Sequence, residues 1–136
     1  MNFNKLTRKR MIEIITEFDE FTMNTYDQLY GDKIEMIELF KININDIIAI
    51  ESKLYILTLI RYHTIPKYTQ LPKKEVASVL ENVINELYSL RKEIGSDKLK
   101  IDPIHKHNLL CAASQLKILD YLKNTLRHIM GREWIS

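Results

Sequence analysis

Residues Ile47 to Tyr62 read IIAIESKLYILTLIRY, a segment that is apolar on nearly every side. Eleven of its sixteen residues are apolar, and no Gly or Pro interrupts the chain between Gly31 and Pro66. A helix with apolar residues all round is typical of the buried core of a helical protein. We therefore predict that this segment is a buried central helix, against which the rest of an all-α protein packs.

One polar line runs along the predicted central helix. Its members are Glu51, Tyr55, Thr58 and Tyr62, whose spacing of i, i+4, i+7 and i+11 places them on one helix face. Such a face suits a partner-binding surface in which Glu51 is a partly buried carboxylate. It equally suits the solvent edge of a core helix, where tyrosines bury their rings and keep their hydroxyls in water. The sequence leaves both interpretations open.

The composition predicts one globular domain over residues 1–136, with 46% hydrophobic and 28% charged residues. Three Gly and three Pro leave few turns and favour long helices. The net charge of +2 is too small to indicate a polyanionic partner. The single cysteine, Cys111, excludes an intrachain disulfide framework and fits a reducing compartment.

The sequence shows no sign of secretion or membrane insertion. The N-terminal stretch MNFNKLTRKRMIEI is basic, but it has neither an apolar core nor a cleavage site of small residues. No apolar run approaches the ~18–20 residues that a membrane-spanning helix requires. We predict a cytoplasmic protein without a membrane span.

Apolar periodicity predicts an antiparallel bundle of four long helices and one short helix. The expected ranges are 5–30, 33–41, 46–63, 73–94 and 103–130. Asn4, Asn45 and Asp102 suit the N-cap, because their side chains can accept a hydrogen bond from a free backbone N–H. Gly31 and Gly95 suit helix C-termini, where glycine adopts the left-handed conformation easily.

The predicted helix at 73–94 carries an apolar seam with 4-3-4-3-4 spacing. The seam consists of Val76, Leu80, Val83, Leu87, Leu90 and Ile94. A seam of this kind packs either inside an antiparallel bundle or across a homodimer interface. A homodimer through these residues is therefore one of two predictions. Beyond the last helix, Trp134 is expected to fold back onto the bundle.

Two pairs of glutamates form the best candidate for an enzyme site. Glu17-x-x-Glu20 is followed, after fourteen residues, by Glu35-x-x-Glu38. This arrangement resembles the ExxE…ExxD motif of the MazG-like all-α nucleotide pyrophosphohydrolases, with Glu38 in place of the final Asp. The resemblance covers some 22 residues. It implies that carboxylates on two neighbouring helices hold Mg²⁺ against a nucleotide triphosphate.

The start of the last predicted helix carries residues of the types that bind zinc. His107 and Cys111 lie four residues apart on one face, close to Asp102 and His105. A second ligand cluster is missing, because His128 lies about 30 Å further along the same helix. We therefore expect no bound metal and no cofactor.

A basic cluster opens the first predicted helix. It consists of Lys5, Arg8, Lys9 and Arg10. Cations on one face can contact phosphate or an acidic protein surface. Because no aromatic residues alternate with them, nucleic-acid binding is the weaker alternative.

The clearest loop is TIPKYTQLP at 64–72, where two prolines prevent a helix from continuing. We expect a binding loop here, with Tyr68 as a contact residue. The sequence has no Gly-rich phosphate loop and no G-x-S-x-G motif. Long amphipathic helices without a convergent catalytic set usually form binding surfaces.

We accordingly predict a non-enzymatic interaction module. It is expected to be a small cytoplasmic regulator, inhibitor or immunity-type protein, of the kind that phages and mobile elements encode, and to bind a protein partner. The expected contact residues are Glu51, Tyr55, Thr58, Tyr62, Tyr68, Arg8, Lys9 and Arg10. A pyrophosphohydrolase and a nucleic-acid-binding regulator are the alternatives.

Overall fold

The computed structural model describes residues 3–65, 67–96 and 105–134. Within these ranges all regular structure is helical and no strand occurs, which confirms the all-α prediction. The four long helices are α1 (Arg8–Glu38), α2 (Ile44–Arg61), α3 (Lys73–Ser96) and α4 (His105–Met130). Short 3-10 turns lie at Phe3–Lys5, Tyr62–Thr64, Tyr68–Gln70 and Gly131–Glu133. The four helices all pack against one another.

Helix α1 is longer than predicted, because it continues through Gly31 to Glu38. The prediction of a separate short helix at 33–41 is therefore wrong. A single glycine in a helix interior costs only about 1 kcal/mol. Apolar packing of the helix before Gly31, where Leu29 contacts the core, can offset this cost. Gly95 likewise lies inside α3 instead of ending it.

The helix starts also differ from the prediction. Thr7 caps α1, its Oγ1 accepting a hydrogen bond from the backbone N–H of Arg10 at 3.0 Å, so the predicted Asn4 cap is wrong. Asn43 caps α2 by accepting from the backbone N–H groups of Asn45 and Asp46, so Asn45 is not the cap. The predicted Asp102 cap lies outside the described residues.

A strained turn joins α1 to α2. The backbone N–H of Lys41 donates to the carbonyl of Met36 at 3.1 Å, and that of Phe40 donates to Ile37 at 3.2 Å. This pair of bonds is the Schellman ending, in which glycine is the usual left-handed residue. Here Phe40 occupies that position with φ of 53°, which costs a side-chain-bearing residue about 1–2 kcal/mol.

The apolar seam of α3 packs within the chain. Val76, Leu80, Val83 and Leu87 are between 0 and 3% exposed, and Leu90 is half-buried. They share one core with side chains of the other three helices, among them Phe18, Leu57 and Leu122. The seam is therefore covered within the chain, as expected for an antiparallel bundle, and a homodimer through it is not shown.

Trp134 folds back onto the helices, as predicted. It is 9% exposed, and its ring stacks on Tyr88 with 6.5 Å between the ring centroids. Gly131 allows this reversal, since its φ of +57° is the left-handed conformation that glycine adopts without strain. No helix of the described ranges is long and apolar enough to cross a membrane.

Candidate partner-binding surface

The polar line predicted on α2 lies on an exposed face. Glu51, Tyr55, Thr58 and Tyr62 are all exposed, with 58% of Tyr55 and 70% of Tyr62 accessible to solvent. Helix α2 is therefore not enclosed on every side, and Glu51 is not the partly buried carboxylate that was considered. The core takes the opposite side of the helix, through residues such as Leu57.

A second row, of two tyrosines and a lysine, lies on α1. It consists of Tyr26, Tyr30 and Lys33, which follow the i, i+4, i+7 spacing of one helix face. The rings of Tyr26 and Tyr30 stack with 6.4 Å between centroids, and the Lys33 ammonium lies 5.3 Å from the Tyr30 centroid. Lys33 Nζ also donates to Glu51 Oε1 at 2.6 Å, a hydrogen bond that raises the pKa of Lys33. This ion pair joins the two rows.

We call the combined surface the tyrosine face. It consists of Tyr26, Tyr30, Tyr55, Thr58 and Tyr62. Beyond its end, Thr64 Oγ1 donates to Asp19 Oδ1 at 2.8 Å. The α1 row has helical spacing in the sequence, but only the structure places it beside the α2 row.

An incompletely bonded arginine lies at the end of the tyrosine face. Arg61 shares an open groove with Tyr26, Thr58 and Tyr62. Its buried Nε lies 3.9 Å from Asp19 Oδ1 and makes no hydrogen bond among the described residues. A buried donor without an acceptor costs free energy, but this Nε is closed off from solvent, so only the exposed third of the Arg61 side chain is open to a partner. Sequence reasoning missed Arg61, because it reads simply as a basic residue in the last turn of a helix.

The loop at 64–72 is fixed to α1 instead of being free. Arg8 Nε donates to the carbonyl of Leu71 at 2.8 Å, and its Nη2 donates to that of Thr69 at 2.6 Å. The hydroxyls of Thr16 and Tyr68 lie 3.0 Å apart, within hydrogen-bonding distance. Tyr68 is half-buried. The structure thus gives Arg8 and Tyr68 an internal bonding role.

Arg10 is also used inside the chain. Its Nε donates to Glu133 Oε1 at 2.6 Å, and its Nη2 donates to the carbonyl of Ile129 at 2.9 Å. These bonds hold the end of α4 against the start of α1. Of the three basic contact residues that were predicted, only Lys9 remains on the surface without such a bond in the described structure. The basic cluster is therefore smaller than the sequence suggests.

The glutamate pairs lie on one helix. Glu17, Glu20, Glu35 and Glu38 all belong to α1 and are all exposed. The eighteen positions from Glu17 to Glu35 correspond to about 27 Å along the helix axis. The two pairs therefore cannot hold one Mg²⁺ in the way that the MazG-like resemblance implies. The unpredicted continuation of α1 through Gly31 is the reason.

No metal centre is present in the described ranges, where no group of three His, Cys, Asp or Glu side chains could hold an ion. Asp102 and the side chains of His105 and His107 lie outside the described residues. Cys111 is a half-buried free cysteine. His63 lies near Glu86, with 3.7 Å between Nε2 and Oε2.

The surface groups of α1 and α2 are of the types that form protein–protein contacts. Aromatic rings, hydroxyls and a partly exposed guanidinium can bind through packing and hydrogen bonds, as in protein interfaces. Comparison with protein families, with curated proteins and with solved structures yields no match.

Proposed function

We propose that this chain is a non-enzymatic interaction module that binds a partner protein through the tyrosine face. The supporting observation is that the Lys33–Glu51 ion pair joins the α1 and α2 rows, and that Tyr26 shares a groove with Thr58 and Tyr62. Tyrosine and arginine are enriched among the residues that dominate interface energetics. Tyrosine rings supply a large contact area at a low cost in conformational entropy.

Arg61 would supply the polar contact of this interface. Its side chain is one-third exposed at the groove beside Tyr62, although its Nε is buried against Asp19. A carboxylate or backbone carbonyl of the partner would accept from the exposed part of the guanidinium and fix the orientation of the complex. Charge-assisted bonds of this kind are stronger than neutral ones.

The proposal includes antiparallel packing of α1 and α2. This direction is supported by contacts near both ends of the pair, Lys33 with Glu51 and Asp19 with Arg61. It gives the tyrosine face its length along two helices. The chain would act as a small regulator, inhibitor or immunity-type protein. A cytoplasmic location fits its free cysteine, Cys111.

The test begins with isolation of the partner from the organism that encodes the chain. A tagged chain is used to capture proteins at moderate salt with nuclease, and the captured protein is identified and purified. The affinity of this protein is then measured for wild type, Tyr55→Ala and Tyr62→Ala. We expect each substitution to weaken binding by about thirtyfold, as for a hot-spot residue.

Tyr121→Ala is the matched control, because Tyr121 is a 52% exposed tyrosine on α4, outside the tyrosine face. It should change the affinity little. Equal losses in all three variants, or a loss with Tyr121→Ala alone, would contradict the proposed surface. Recovery of the chain without any partner in repeated captures would contradict the proposed class.

A further inference from the structure

A cluster of exposed apolar side chains surrounds the connection between α1 and α2. Its members are Ile37 (43% exposed), Leu39 (54%), Phe40 (91%), Ile42 (59%) and Ile44 (67%), and we call them the apolar tip. Single exposed apolar residues are ordinary on protein surfaces, whereas a contiguous group marks an interaction site. The apolar tip shares no residue with the tyrosine face, although Ile37 and Ile44, eleven positions from Tyr26 and Tyr55, continue its two helical rows.

The backbone gives the apolar tip a second unusual property. Phe40 adopts the left-handed conformation, which glycine would adopt with less strain, and its ring is almost fully in water. Neither the local conformation nor burial of the ring favours phenylalanine here. Residues held under strain occur preferentially at functional sites. A ring that packs against a partner would account for the presence of Phe40.

A groove of about 510 Å³ adjoins the apolar tip and shares Leu39 with it. Apolar side chains in its lining include Leu29, Met36 and Ile50. The charged groups in its lining are three carboxylates and two ammonium groups: Asp32, Glu35, Asp46, Lys41 and Lys53. Glu38, on the last turn of α1, is also exposed. An apolar surface with a net negative rim fits an apolar partner that carries positive charge.

We infer that the apolar tip and its groove dock a basic amphipathic segment of another protein. The apolar side chains of that segment would cover Phe40 and enter the groove, and its Lys or Arg side chains would meet Asp32, Glu35 and Asp46. This inference goes beyond the proposed function, because it concerns other residues and the chemistry of what binds there.

Charge argues against the two other candidates for this surface. The cytoplasmic surface of a membrane is anionic, and it would repel the three carboxylates of the lining more than it would attract Lys41 and Lys53. A second copy meeting this surface with its own would bring two linings of net negative charge together. A basic segment avoids both repulsions.

The test uses the full chain and labelled model peptides of about 18 residues, about five helical turns. One peptide carries Leu on one face and Lys on the other; the second replaces Lys by Glu, and the third replaces Leu by Ser. Fluorescence anisotropy measures the affinity. We expect the Leu/Lys peptide to bind at least about tenfold more tightly than either of the others, and its affinity to fall with salt.

Two variants locate the binding site. Phe40→Gly removes the ring and suits the left-handed backbone, so the chain folds and should bind the Leu/Lys peptide about tenfold more weakly. The double variant Asp32→Asn, Glu35→Gln should weaken binding and flatten its salt dependence. Ile65→Ser is the matched control, since Ile65 is 72% exposed beyond the far end of α2. This control should bind like wild type.

Several results would overturn the inference. These are equal binding of the Leu/Lys and Leu/Glu peptides, wild-type binding by Phe40→Gly, and binding to phosphatidylglycerol vesicles that Phe40→Gly abolishes. A dimer in sedimentation that Phe40→Gly dissociates would identify a second copy as the occupant instead. Because the peptide assay uses no natural partner, its failure does not affect the proposal for the tyrosine face.

Discussion

The two connections that flank α2 differ in how they are held. The connection after α2, at 64–72, is tied to α1 by Arg8, which donates to two of its carbonyl groups, and by hydrogen bonds of Thr64 and Tyr68. The connection before α2 contains Phe40, and its backbone bonds are local ones to the last turn of α1. It exposes apolar side chains that nothing in the described structure covers.

This difference shows what makes a loop available for binding. The prolines at 64–72 suggest a prominent loop, yet long-range bonds from α1 fix its backbone and occupy its polar groups. The connection at 39–43, part of which was expected to lie in a short helix, carries Phe40, whose side chain is 91% exposed. Availability depends on contacts distant in sequence, which loop composition does not show.

The largest expected effect comes from releasing the fixed connection. Arg8→Met removes the two bonds to Thr69 and Leu71, and we expect the free energy of unfolding to fall by about 1–2 kcal/mol. Chemical denaturation measures this change, and amide hydrogen exchange at Leu71 should become faster. Lys9→Met is the matched control and should stay within about 0.5 kcal/mol of wild type. Equal effects of both substitutions would show that the connection is not held by Arg8.

A smaller effect of opposite sign is expected at the other connection. Phe40→Gly relieves the strain of the left-handed residue but increases the entropy of the unfolded chain, so we expect a net gain of about 0.5–1 kcal/mol in the free energy of unfolding. Thermal or urea denaturation measures it. A loss of stability would mean that the ring of Phe40 makes contacts within the chain, and the two connections would then be alike.

The smallest expected effect concerns Lys53, which lines the groove beside the apolar tip. Burial, and then the nearby charge of Lys117, lower the pKa of Lys53 below its usual 10.5. The charged form of Lys53 is therefore disfavoured in the folded chain, which lowers the free energy of unfolding. This loss of stability is fully present below the lowered pKa, and it disappears as the pH rises toward 10.5. We expect Lys53→Met to stabilise the chain near neutral pH by about 0.2–0.5 kcal/mol, because solvent screening keeps the effect small.

Urea denaturation over a pH series measures the effect of Lys53→Met. The stability difference from wild type should shrink as the pH approaches 10.5. Lys74→Met, at an exposed site near the start of α3, is the control and should show no such trend. A gain from Lys53→Met that does not change with pH would contradict an electrostatic origin.

Helix positions and the buried seam could be predicted from the sequence. Periodic apolar residues determine which side of α3 is buried, and Gly131 allows the turn that returns Trp134 to the core. The continuation of α1 through Gly31 could not be predicted, because a helix tolerates one glycine when the packing of a preceding segment holds it. This one error also separated the glutamate pairs into two helices.

Only one of the two rows of the candidate site could be predicted from the sequence. The α2 row could be found from helical spacing, since Tyr55 and Tyr62 fall on one face. The α1 row has the same kind of spacing, but its position beside α2 depends on how the helices pack. The internal bonds of Arg8 and Arg10 join residues more than sixty positions apart, and no local pattern indicates them.

Site-directed photo-crosslinking in cells of the source organism tests the central claim most directly. A benzoylphenylalanine is placed singly at Phe40, Tyr55 or Tyr62, and at Thr69 or Tyr121 for comparison, and the adducts are identified by mass spectrometry. We predict adducts with a protein partner from the first three positions and none from the last two. Adducts concentrated at Thr69 and Tyr121 would contradict the claim that the exposed surface of α1 and α2 is where this chain binds.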